Sequence, residues 1–268
     1  MARAHVEDLH YRDVPLAEAA DGPFAGAPWR VLSRDEETGA LTALAELPAG
    51  YAVDQRLDRG YELLVLDGGL TLDGEAVGAG RYAYVPTGES ARVEAAGPTR
   101  ALIVIGAPGA GGGERIVVDP ESMQWMVRVT EARTDTGFTE PILHVVKILR
   151  RDPVSGDVSG FSALPAGMGQ VTAEWHDPAD EGFMLRGDMI VLGPDGEPAE
   201  MVVGTYNWRP ENARHLPKYT HTGNLRFFRA TGGGFDGTVT VTYVDEPRWP
   251  QLLAAYQARF PFFGEQAS

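Results

Sequence analysis

The apolar positions of the 268-residue chain fall in short blocks that stop at glycine, proline or aspartate. In VLSRDEETGALTALAELPAG (31–50) an apolar strand, a polar turn ending in Gly39, a second strand and a Pro-Ala-Gly break follow one another. Such blocks are strand-length, and their punctuation is that of hairpins. Helical periodicity is confined to PLAEAA (15–20) and PQLLAAYQARF (250–260), where Leu252, Leu253, Tyr256 and Phe260 share one face. The pattern predicts an all-β chain with short terminal helices.

The block at 31–50 recurs at 148–167 as ILRRDPVSGDVSGFSALPAG, with eight identities in twenty ungapped positions, among them the run LPAG. Further on, YELLVLDGGLTL (61–72) corresponds to EGFMLRGDMIVL (181–192), and GRYAYVPTG (80–88) to GTYNWRPEN (204–212). A duplication of this kind means two copies of one β unit, with expected boundaries at 1–113 and 114–268. The connector GAPGAGGGE (106–114) reads as a mobile turn or linker. No Gly-Lys-Ser/Thr follows it and a strand-like RIVV does, so it is not a phosphate loop.

Composition adds exclusions. Gly 33 and Pro 19 favour turns, and a net charge of -15 opposes binding to nucleic acid or anionic membranes. With Cys 0, disulfides, thiolate ligands and cysteine nucleophiles are excluded, so any metal must rest on histidine and carboxylate. The charged start MARAHVEDLHYRD and the lack of a long apolar run make a cytoplasmic protein the expectation.

The second copy concentrates the candidate chemistry. In GMGQVTAEWHDPADEGFMLRG (167–187), Glu174 and His176 share one strand face, and the turn at Asp177-Pro178 brings Glu181 back toward them. His215 belongs to a later strand. Here the chain resembles the cupin family, whose motifs are G-x5-H-x-H-x(3,4)-E-x6-G and G-x5-P-x-G-x2-H-x3-N. The second motif is met by Gly204, Pro210, Asn212 in place of glycine, and His215, with Tyr219 where asparagine is usual. In the first motif Glu174 stands for the first histidine, His176 is the second, Glu181 is the carboxylate, and Gly187 falls one residue short.

The resemblance spans roughly 30–105 and 147–245 and implies two tandem cupin barrels (double-stranded β-helix, or jelly roll). It implies metal ligation by His176, Glu181 and His215, with Glu174 as a fourth ligand or a catalytic base. Two histidines and a carboxylate independently suit Fe(II), with Zn, Mn and Ni open beside it. In the first copy Gln55, Leu57 and Ala91 occupy the histidine places, which implies a lost site; Asp54, Asp58 and Glu62 read as a solvated acidic loop.

His5, His10, His144 and His221 have no motif partner. Met184, Tyr206 and Trp208 are expected beside the ligands, with Tyr206 a proton-handling candidate, and Arg209 or Arg226 would bind an anion if turned inward. The expected function is that of a non-haem Fe(II) dioxygenase or related oxidoreductase on a small organic metabolite. A non-redox isomerase, cyclase or lyase, and a non-catalytic binding module or sensor, are the alternatives. A homodimer is an open expectation.

Overall fold

The computed structural model describes residues 3–19, 23–137, 139–193, 197–215, 217–232 and 240–258. It is built almost wholly of antiparallel strands, with one α-helix among the described residues, Trp249–Ala258. In the first copy, a sheet of seven strands runs in the order Ile116–Val118, Tyr82–Val85, Tyr61–Asp67, Thr99–Ile105, Leu41–Leu47, Pro28–Arg34, Ala17–Glu18. Across from it lies a four-stranded sheet ordered Tyr51–Arg56, Ser90–Ala95, Gly69–Leu72, Glu75–Gly78. The core between them takes Ala43, Leu63, Val65 and Ile103 from one wall and Leu70, Leu72, Val77 and Val93 from the other.

The outer face of the larger sheet is also buried. Leu44, Leu64, Leu102 and Val104 pack on Leu149, Phe161, Phe183 and Phe227 of the second copy. Strands covered on both faces need apolar residues at consecutive positions, which is why LTALAEL and ELLVL do not alternate. Each large apolar side chain enclosed this way contributes roughly 1.5–3 kcal/mol relative to exposure, so the two copies are joined by a buried cluster that both build.

The second copy repeats the arrangement around a longer sheet. Asp180–Leu192 runs between Thr205–Arg209 and Asn224–Ala230, and Val158–Leu164, Thr139–Arg151 and Met126–Arg133 follow outward. A register shift between Met184 and Arg186 bends this 13-residue strand, so its second half pairs instead with Pro198–Val202 and Lys218–Tyr219. One strand thereby serves both walls of the barrel.

Pairings cross the expected division at 113/114 in both directions. Val6–His10 lies on Thr205–Arg209 of the second copy, while Ile116–Val118 lies on Tyr82–Val85 of the first. Of the two expected helices, Trp249–Ala258 forms and packs Trp249 and Tyr256 on Ile190 and Tyr219; residues 259–268 lie outside the described residues. The other is corrected: Ala17–Glu18 pairs with Pro28–Trp29 as a strand, and Ala20 lies outside the described residues. So short a segment cannot sustain a helix alone, and the sheet edge satisfies its backbone instead. The glycine connector is held, with Gly106 N–H donating to Gly60 O, Gly109 N–H to Asp58 O and Gly112 N–H to Asp152.

Candidate metal centre

His176, Asp180 and His215 converge inside the second barrel, with one ligand atom from each lying within 4.8 Å of the other two. His176 ends the strand Ala173–His176, Asp180 opens the strand Asp180–Leu192, and His215 bridges back to Glu174. The imidazole rings meet edge to face with centroids 4.8 Å apart. Both are oriented alike. His176 Nδ1–H donates to Pro178 O at 2.7 Å and His215 Nδ1–H to Ala213 O at 2.8 Å, which leaves each Nε2 as a free lone pair. A backbone carbonyl fixing the tautomer in this manner is the usual outer support of a metal-binding histidine.

Asp180 Oδ1 is buried without a hydrogen-bond partner and faces His176 Nε2 at 3.9 Å. Its other oxygen accepts from Arg209 Nη1 at 3.3 Å. Burial raises the Asp180 pKa, but Arg209 and the two histidines outweigh this and hold it below the ordinary value. His215 is pushed down by burial and by the charge of Arg209, which favours the neutral ring that a metal requires. An orphaned carboxylate oxygen and two free Nε2 atoms make a donor set that a divalent ion fits.

Glu174 stands beside this set, with Oε1 3.6 Å from His215 Nε2 and Oε2 accepting from Gln170 Nε2 at 3.1 Å. Burial would neutralise it, but the nearby His215 ring, the charge of Lys218 and the bond from Gln170 hold its pKa far below the carboxylate range. Arg209, only 1% exposed, is gripped through Nε and Nη2 by Glu7, which arrives on the N-terminal strand. That pairing outweighs burial and draws the Glu7 carboxyl down to about 2. Glu7, Arg209 and Asp180 form one chain that fixes the acid.

The structure does not bring Glu181 or Tyr206 to this centre. Tyr206 Oη donates to Glu181 Oε2 at 2.7 Å, and the same oxygen accepts from Thr42 Oγ1 at 2.6 Å, with Arg3 Nη1 at 3.5 Å. Successive residues of a strand face opposite ways, so if Asp180 points into the barrel, Glu181 points into the junction between the copies. The first copy mirrors this pair: Tyr82 Oη donates to Glu62 Oε2 at 2.8 Å, and Arg229 joins Glu62 and Asp157 across the junction. Strand register therefore equates Glu62 with Glu181, one position off the alignment of 61 with 181, and equates Tyr61 with Asp180.

In the first barrel the corresponding places are filled. Ala91 pairs with Gln55 as His215 pairs with Glu174. Gln55 donates to Tyr61 Oη at 2.7 Å and accepts from Phe24 N–H at 3.1 Å. Asp54 pairs with Arg92 and Asp58 with Arg59, and among the described residues no group of three metal-ligating side chains forms there.

Of the other candidates, Met184 packs in the interior beside Met189 and Met201, while Trp208 faces the junction under the Arg3 guanidinium. His5 contacts Glu7, and His10 contacts Val203 O. His221 lies at a turn where its N–H donates to Asp188, and the side chain of His144 lies outside the described residues. Residue types alone did not single out Asp180, Glu7 or Lys218. For Asp180 a signal existed: a three-residue gap after His176 and a six-residue gap before Gly187 meet the spacing of the first motif from its second histidine to its closing glycine, with aspartate in place of glutamate.

No family model matches the chain, and no curated protein matches it in sequence. Solved structures do. A protein of Nostoc punctiforme described as a candidate dioxygenase superposes with a TM-score of 0.70 at 17% identity, over 91% of this chain and 88% of that one. A cupin 2 conserved barrel domain protein of Leptotrichia buccalis gives 0.57 at 10% identity, over 85% and 97%. Salicylate 1,2-dioxygenase of Pseudaminobacter salicylatoxidans gives 0.52 at 10%, over 76% and 74%. At these identities the likeness establishes a shared cupin fold.

Proposed function

We propose that the chain is a metal-dependent cupin enzyme, a dioxygenase or related oxidoreductase acting on a small organic metabolite, with its ion on His176, Asp180 and His215. The observation that carries this reading is the inward convergence of two imidazole Nε2 atoms, both freed by Nδ1 bonds to carbonyls, on an unpartnered aspartate oxygen. Two histidines and one carboxylate with open positions suit Fe(II), and such an ion would supply one-electron or Lewis-acid chemistry. The dioxygenases among the fold's relatives favour the first.

The protein's own residues would do the rest. Glu7 and Arg209 hold Asp180 in place, and Gln170 holds the Glu174 carboxylate beside His215, where it would accept a hydrogen bond from a ligand at the centre. Glu174 lies outside the His176, Asp180 and His215 group yet 3.6 Å from His215 Nε2, and that second buried carboxylate is the observation favouring the second reading, non-redox isomerase, cyclase or lyase chemistry. An oxygen electrode separates them: uptake in step with product, abolished in His215→Ala, is expected. Turnover without oxygen uptake would contradict the oxidoreductase reading, and bound metal without turnover of any screened metabolite would favour a sensor.

The wider reading is of a cytoplasmic protein that meets a small molecule rather than nucleic acid or membrane, in keeping with its charge of -15. No described helix is long and apolar enough to cross a membrane. A homodimer would be seen as a doubled mass on light scattering.

A further inference from the structure

The inner wall of the second barrel carries polar groups that the metal centre does not use. On the strand Thr205–Arg209, Arg209 and Asn207 share a face; Arg209 pairs with Asp180, and Asn207 with Gly182. Asn207 is 0% exposed, yet neither its Nδ2 nor its Oδ1 has a hydrogen-bond partner. Gly182 makes room for it, since a Cβ there would lie 2.7 Å from Asn207 Oδ1. From Asn224–Ala230, on the other side of Asp180–Leu192, Arg226 pairs with Met184 on the same face, donates through Nε to Ser162 Oγ at 2.9 Å, and leaves Nη1 buried and unpartnered. A buried amide and a buried guanidinium nitrogen left open cost the fold stability, and such groups are expected where a ligand completes them.

The charges point the same way. Arg209 is paired with Glu7 and Asp180, and Arg226 and Lys218 lie in the field of Asp180 and Glu174, so these three cations face three carboxylates. A divalent ion on neutral histidines leaves two positive charges uncompensated in a desolvated site, which an anion would offset.

We infer that the Asn207 amide and the Arg226 guanidinium form a subsite for a carboxylate, so that the substrate is a small organic acid held beside the metal. This rests on the metal-enzyme reading for its placement but not for its own test. Planar, forked donors match a carboxylate's two oxygens, and the apolar floor of Met184, Met189, Val191 and Met201 would take the rest of the molecule.

The test uses protein purified with its own metal and isothermal titration with formate, acetate and benzoate against formamide, acetamide and benzamide. At least one acid is expected to bind ten-fold or more tighter than its amide. Asn207→Leu, similar in shape, is expected to lose that affinity ten-fold or more at an unchanged or raised melting temperature and unchanged metal content. Arg226→Lys is expected to weaken it likewise. Equal binding of acids and amides, no binding of any acid, or wild-type affinity in both variants would overturn the inference. A lowered melting temperature with retained affinity in Asn207→Leu would assign the amide to the fold and overturn it too. Acid selectivity in protein without metal would sink the metal reading and leave the subsite, whereas bound metal without selectivity would do the reverse.

Discussion

Two adjacent acids, Asp180 and Glu181, show how one residue of register decides a role. Asp180 faces two histidines, while Glu181 is locked to Tyr206 and Thr42 at the junction. Tyr206→Phe is therefore expected to leave metal content unchanged and to lower unfolding free energy by roughly 1.5–3 kcal/mol, the worth of a hydrogen bond to a charged group, read by urea denaturation. A loss of metal in Tyr206→Phe would contradict this placement. His215 was legible from its spacing to Gly204 and Pro210, and His176 from its place two residues after Glu174. The acid was less so, because two carboxylates stand side by side and only the count to Gly187 tells them apart. Asn212 was legible as a departure but not as an equivalent: its φ of 59 matches the left-handed turn that Gly88 makes with φ 77 in the first copy.

At the scale of elements, the N-terminal strand Val6–His10 matters most, since Glu7 reaches the centre through Arg209. Sequence offers no hint of this, because nothing local pairs a strand with a partner some 200 residues away; Glu7 to Arg209 spans 202. A carboxylate with a depressed folded pKa contributes stability that is present above its ordinary value near 4.5 and lost as pH falls toward about 2. Glu7→Gln is expected to be less stable than wild type at pH 6, on the order of 3 kcal/mol at 1.36 kcal/mol per pKa unit. The gap should close between pH 4.5 and pH 2, as followed by denaturant titration at a series of pH values. A gap independent of pH would contradict the pairing. Weakened support of Asp180 should also lower metal affinity about 10-fold to 100-fold, measurable by competition with a chelator.

For the whole molecule, duplication was visible in the aligned LPAG blocks, whereas burial of the larger sheet on both faces came from the structure. Which residues of its apolar runs face the other copy was not legible, because strands apolar on both sides carry no alternation to read. The junction built from Leu44, Leu64, Leu102, Phe183 and Phe227 should couple the copies. Calorimetry is expected to show one unfolding transition, and Leu44→Ala, costing about 2–5 kcal/mol, should shift all of it; two separable transitions would contradict a shared core. The central claim is one ion per chain on His176, Asp180 and His215, tested most directly by elemental analysis of protein purified without added metal. The account predicts near-stoichiometric metal in wild type and in Glu181→Gln, and its loss in Asp180→Asn. Metal retained in Asp180→Asn and lost in Glu181→Gln would contradict it.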